Sequence, residues 1–155
     1  MKFIKKTVSA SKEEVLNMLS DNERVNERVR FDEKDGTPHM TVKEKKGRVI
    51  ITCEMLGRPT KDNEYGYLVG TYFSGRITEK DGVTTLRGTI LTAPIYHSVM
   101  ITLVALVIIQ AIIAGAITPV PIFAVLFELV LFSREFKKQG YIYRYINRAF
   151  KRLVK

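Results

Sequence analysis

Val99 to Phe132 reads VMITLVALVIIQAIIAGAITPVPIFAVLFELVLF. Gln110 and Glu128 are its strongly polar side chains, and Pro119 and Pro121 punctuate it. About 18 consecutive apolar residues already suggest a membrane span. One helix over these 34 residues would be about 51 Å long, against a hydrocarbon core of about 30 Å. Proline also breaks the helical ladder. The run therefore predicts two helices, about His97–Ile117 and Pro121–Phe136, with a tight turn near Thr118–Val120. Pro121 would open the second helix, where its missing amide does no harm. That helix is short, and it reaches the interface by including part of Ser133–Phe136 or by tilting little.

Charge sets the expected orientation. The net charge is +9, and residues 133–155 carry eight Lys and Arg against one Glu. Residues 1–94 carry 17 basic and 14 acidic residues. The turn between the helices is uncharged, so the positive-inside rule puts both termini in the cytoplasm of a multi-pass protein of the cell membrane. Met1-Lys-Phe-Ile-Lys-Lys6 lacks a following apolar segment, so no secretory signal is expected. A basic segment beside a membrane favours anionic headgroups as partners, at about 1 kcal/mol per charge. No nucleic-acid-reading motif appears, and no nucleic-acid partner is expected.

The polar pair inside the run calls for an explanation, because polar groups in hydrocarbon are costly. A turn centred on residue 119 would set Gln110 and Glu128 at one depth. The expectation is an interhelical contact between them, contributing about 0.6–2 kcal/mol. Ala111 and Gly115 would let the helices approach closely. In the alternative, a homo-oligomer turns Gln110 and Glu128 toward a shared interior.

The N-terminal part reads as α+β. Lys2–Val8 is a first strand, and Ser11-Lys-Glu-Glu14 is a capping box opening a short helix to about residue 20. In Asn22–Phe31 the spacing of Val25, Val29 and Phe31 leaves helix and strand both open. His39–Lys45 and Arg48–Leu56 form two strands around Lys46-Gly47, with Cys53 a small buried apolar residue. Tyr65–Glu79 and Thr84–Thr92 form a hairpin about Lys80-Asp-Gly-Val83, since Asp-Gly between β-rich runs favours a tight turn. The expected domain is an antiparallel sheet of about five strands with one or two helices.

Beyond the apolar run, Ile142, Tyr145, Ile146, Ala149, Phe150 and Leu153 share one side of a helical wheel. Arg144, Arg148, Lys151, Arg152 and Lys155 share the other. Such a helix suits a membrane surface, with Tyr141, Tyr143 and Tyr145 at the interface, and it suits equally a packing site on the protein's own domain. The division is 1–94 for the cytoplasmic domain, 95–136 for the transmembrane hairpin and 137–155 for a basic amphipathic helix.

Motifs of known chemistry are absent: no CxxC, HExxH, Walker loop or GxSxG occurs, and His39 and His97 are far apart. No enzyme activity, metal or cofactor is expected. The segment Gly75-Arg-Ile77-Thr-Glu79-Lys-Asp-Gly82-Val-Thr-Thr-Leu86-Arg-Gly88, followed by Pro94 and the apolar run, resembles small uncharacterised bacterial membrane proteins. Those have a cytoplasmic α+β domain, a two-helix membrane hairpin and a short basic C-terminal segment. The resemblance implies that layout and no activity.

The leading expectation is a membrane-anchored cytoplasmic binding or regulatory module. An oligomeric transport or pore component is the second reading. A third, a soluble carrier of an apolar ligand, predicts extraction without detergent.

Overall fold

The capping box forms as written. Glu14 N donates to Ser11 Oγ at 3.2 Å, and Ser11 N donates to Glu14 Oε2 at 2.8 Å. This starts α1 (Lys12–Ser20), and Asp21 then caps α2 (Asn22–Asn26). The computed structural model describes residues 2–27, 38–45, 47–54, 70–92, 94–114 and 119–154. Helix therefore takes the first half of the ambiguous segment 22–31, and its end lies outside the described residues, as do 55–56 and 65–69 of the expected strands.

Five strands, β1 (Lys2–Val8), β2 (His39–Lys45), β3 (Arg48–Glu54), β4 (Tyr72–Lys80) and β5 (Val83–Leu91), form one antiparallel sheet in the order β1-β5-β4-β3-β2. The β4–β5 hairpin turns at Asp81 (φ 53°) and Gly82 (φ 72°), the left-handed pair that a two-residue turn demands. β1 pairs with β5 from Lys2↔Ile90 to Val8↔Thr84, so the first strand closes on the last.

Alternation divides the sheet into two faces. Ile4, Val8, Met40, Val49, Ile51, Cys53, Phe73, Ile77, Leu86 and Ile90 point inward and are buried. Val15, Met18 and Leu19 from α1 and Val25 from α2 join them. Gly75 and Gly88 face each other on this inner side. A Cβ on Gly88 would collide with Gly75 Cα, Ser74 O and the Phe73 ring. At the sheet edge, Asn22 completes β2: its Nδ2 donates to Met40 O at 2.7 Å and its Oδ1 accepts from Met40 N at 2.8 Å.

After β5 come α3 (Pro94–Ala114) and α4 (Pro119–Leu153). Proline opens each helix, which suits a residue with no amide to donate. α4 runs unbroken for 35 residues, about 52 Å. One continuous helix thus carries both the expected second membrane segment and the expected tail helix beyond residue 137. Gly140 alone weakens the connection, by about 1 kcal/mol relative to alanine, and the Lys138–Glu135 ion pair at 2.6 Å spans it one turn earlier. The trailing half of α4 completes the core: Ile142, Tyr145, Ile146 and Ala149 are fully buried. Each large apolar side chain so buried contributes about 1.5–3 kcal/mol. Tyr145 Oη also donates to Leu19 O at 2.7 Å.

The architecture is α+β, a five-stranded antiparallel sheet followed by C-terminal helices. One described helix, α3, is long and apolar enough to cross a membrane, over Tyr96–Ile113, and none of that stretch is buried in the protein. The expected pair of full-length spans is not reproduced. Apart from Glu128, the leading part of α4 is apolar from Pro119 to Phe132, and Arg134 and Glu135 follow. Those 14 residues rise only about 21 Å.

Candidate functional site

The outward face of the sheet carries a feature that emerges only from strand register. Lys45 pairs with Arg48, Arg48 with Arg76, Arg76 with Arg87, and Arg87 with Lys5. Directly opposed residues project from the same side, so five cations form one row across all five strands. At about 4.8 Å per strand the row is about 19 Å long. All five are exposed. None joins an ion pair among the described residues; those pairs are Lys12–Glu44, Lys138–Glu135 and Arg152–Glu27. Glu54 is the acidic residue of the same strand parity, and it sits six residues along β3 from Arg48, about 20 Å away.

Like charges placed directly opposite on a sheet are destabilising. A solvated face needs charge of mixed sign, not a single-sign row. The row therefore opposes stability locally. Beside it, Arg87 lies over the exposed Phe3 ring, its guanidinium carbon 5.3 Å from the centroid. Phe3, Lys5, Arg48, Arg76, Lys80 and Arg87, with the hydroxyls of Ser74, Thr78 and Thr85, line an open depression of about 710 Å³. That volume is within the range of small-molecule sites.

A second cluster joins α4 to the sheet. Buried Glu135 accepts from Thr71 N at 2.7 Å, and its carbonyl accepts from Thr71 Oγ1 at 3.1 Å. Gln139 Nε2 donates to Thr92 Oγ1 at 2.8 Å. These bonds clamp the middle of α4 to the start of β4 and the end of β5. They hold the helix at a fixed depth, and they account for a charged residue just past the apolar segment.

The residues singled out from sequence lie on α3 and on both halves of α4. Gln110 stands four residues before the end of α3, and Glu128 nine residues after the start of α4. Glu128 is buried, and its Oε1 has no hydrogen-bond partner. Near the domain, His97 of α3 meets Phe132 of α4 edge-on at 5.5 Å, which makes the two helices antiparallel neighbours there.

On the trailing half, Ile142, Tyr145, Ile146, Ala149 and Phe150 pack into the core instead of facing outward. Arg152 pairs with Glu27 at 2.8 Å, and Arg144 lies over the Tyr141 ring at 5.0 Å. Arg148 is partly buried, and desolvation followed by the nearby Arg144 charge lowers its pKa. Lys151 is exposed; Lys155 lies outside the described residues. Lys2 Nζ sits 3.5 Å from the Tyr143 ring centroid. The Tyr143 phenol is lowered by its hydrogen bond with Asn147 and then by Lys2.

No family model, curated protein or solved structure matches this chain. The resemblance noted above rests on its own residues. Among the described residues no group of three or more His, Cys, Asp or Glu side chains is arranged to hold a metal ion.

The cationic row escaped the sequence reading because its members are scattered over positions 5 to 87. Alternation places each one outward, but only the register aligns them.

Proposed function

We propose that this chain is a membrane-anchored protein whose cytoplasmic α+β domain is a binding or regulatory module. The observation that carries this reading is α3, an apolar helix of spanning length with no stretch buried in the protein. The layout supports a hairpin: β5 leads into α3, and α4 returns to the core of the same domain. A chain that leaves and re-enters one folded domain crosses an even number of times. In this reading the leading part of α4 is the return crossing. Its short apolar length is met by local bilayer thinning and by Arg134 reaching to the interface. Both termini then lie in the cytoplasm.

The unbroken α4 gives the anchor a mechanical role. A shift of its leading half is transmitted to the sheet through the Glu135–Thr71 clamp and the buried trailing half. This suits a regulatory module better than a tether, which needs no rigid connection.

The test is retention of the full chain in membranes after alkaline carbonate washing, with topology reporters at Thr118 and after Lys155. Retention, an external Thr118 and an internal C-terminus are expected. Release by carbonate, or reporters on one side, would sink the proposal.

A second reading, an oligomeric pore or transport component, draws on the buried Glu128, whose Oε1 has no hydrogen-bond partner. Cross-linking in membranes from a cysteine at position 128, with Cys53 replaced, would yield a fixed oligomer in that case and monomer otherwise.

A further inference from the structure

We infer that the outward face of the sheet is a binding site for a soluble nucleoside polyphosphate. This goes beyond the anchoring proposal, which specifies no ligand. Three observations converge on the class. First, Lys5, Arg48, Arg76, Arg87 and Lys80 surround one depression with no carboxylate among its described lining residues. Such a site is matched by a ligand carrying several negative charges. Second, its central cations are three arginines in adjacent strands. Planar guanidinium forks bind phosphate oxygens in pairs, which ammonium groups do not, and Ser74 supplies a neutral hydroxyl beside them. Third, Phe3 presents a ring that is 56 % exposed at the margin of the same depression. It lies one row and two strands from Arg76, about 12 Å across the sheet. That separation suits a flat base on Phe3 with its phosphates on the arginine row.

Two other anionic partners fit less well. The trailing half of α4 covers the inner face, and a sheet packed on a helix lies alongside its axis. In the anchored protein the outer face therefore looks sideways into the cytoplasm, not toward the headgroups. A single nucleic-acid strand calls for successive stacking platforms along a charged track. Here Phe3 is the exposed aromatic ring among the described strand residues, and the row ends after about 19 Å.

The like-charged row also gives the inference a signature that a structural role lacks. Removing a cation from it relieves repulsion, so a variant deficient in binding should be no less stable.

The test uses the full chain in neutral detergent, which makes it independent of membrane topology. Binding of ATP, AMP, adenosine and tripolyphosphate is measured by calorimetry. ATP is expected to bind at least tenfold more tightly than AMP, with affinity falling as salt rises, and adenosine is expected not to bind. Arg76→Thr and Arg48→Thr should each weaken ATP at least tenfold without lowering the melting temperature. Phe3→Ser should weaken ATP several-fold and leave tripolyphosphate unchanged. The inference is overturned if ATP fails to bind or if the arginine variants bind as the native chain does. It is equally overturned if a single-stranded 20-mer, or vesicles with anionic lipid, bind through Arg76 while ATP does not compete.

Discussion

The two halves of α4 belong to one helix and have opposite surroundings. In the leading half Phe123 is 70 % exposed and Phe127 66 %. In the trailing half Tyr145 and Ile146 are fully buried. Backbone hydrogen bonding is the same in both, so the helix is not what distinguishes them. The trailing half has a sheet to cover; among the described elements, the leading half has α3 as its neighbour. In the proposed anchoring, lipid would cover the apolar side chains that the chain itself leaves exposed, in keeping with the length of α3.

Perturbing the trailing half should produce the largest effect. Tyr145→Ala removes a fully buried ring and should cost about 3–5 kcal/mol of domain stability by chemical denaturation in detergent. Phe127→Ala in the leading half should change the same transition by less than about 0.5 kcal/mol. Comparable losses would erase the contrast between the halves.

The floor beneath the trailing half is the next target. Gly88→Ala drives a methyl into Gly75 and the Phe73 ring and should cost about 1–3 kcal/mol. Leaving stability unchanged would mean that the inner face is looser than its geometry implies.

Tyr145→Phe sharpens the comparison with a smaller change. It leaves Leu19 O without its donor, a loss of about 1 kcal/mol near neutral pH. Burial, and then the Asp21 charge, raise the Tyr145 pKa above its ordinary value of 10.0, against a smaller opposing effect of Arg148. Above pH 10 the unfolded tyrosine ionises while the folded one keeps its proton. Stability should therefore fall as pH rises beyond 10, and Tyr145→Phe should flatten that slope. A slope unchanged in the variant would assign it to other groups.

Gly140 lies where the two halves meet. A Cβ there approaches only Arg144 Nη2, at 3.7 Å. Gly140→Ala should stabilise the protein by about 0.5–1 kcal/mol by stiffening the helix. Destabilisation would show that α4 needs flexibility at this point.

Much of the fold was legible because its signals are local. The Ser11–Glu14 box, the Asp81-Gly82 turn and the alternation of Val49, Ile51 and Cys53 are each readable within a few residues, and each forms. Segment 22–31 was ambiguous because period-2 and period-4 spacings coincide there, and the Asp21 cap and the contact of Asn22 with Met40 favour helix over 22–26. The tail also had two readings, since an amphipathic face does not say whether lipid or sheet covers it. The candidate ligand face was not legible, because Lys5, Arg48, Arg76 and Arg87 come from four strands.

By itself the sequence determined the class of each segment: an apolar run too long for one span, a set of alternating strands, a helix with one apolar face. Periodicity and turn chemistry act over a few residues, so they survive without a partner. The tertiary structure decided what each surface meets. It buried the amphipathic face of α4 in the sheet and fused that helix to the apolar run. It also set five cations in one row. Those outcomes depend on register and packing between distant segments, which no local pattern encodes.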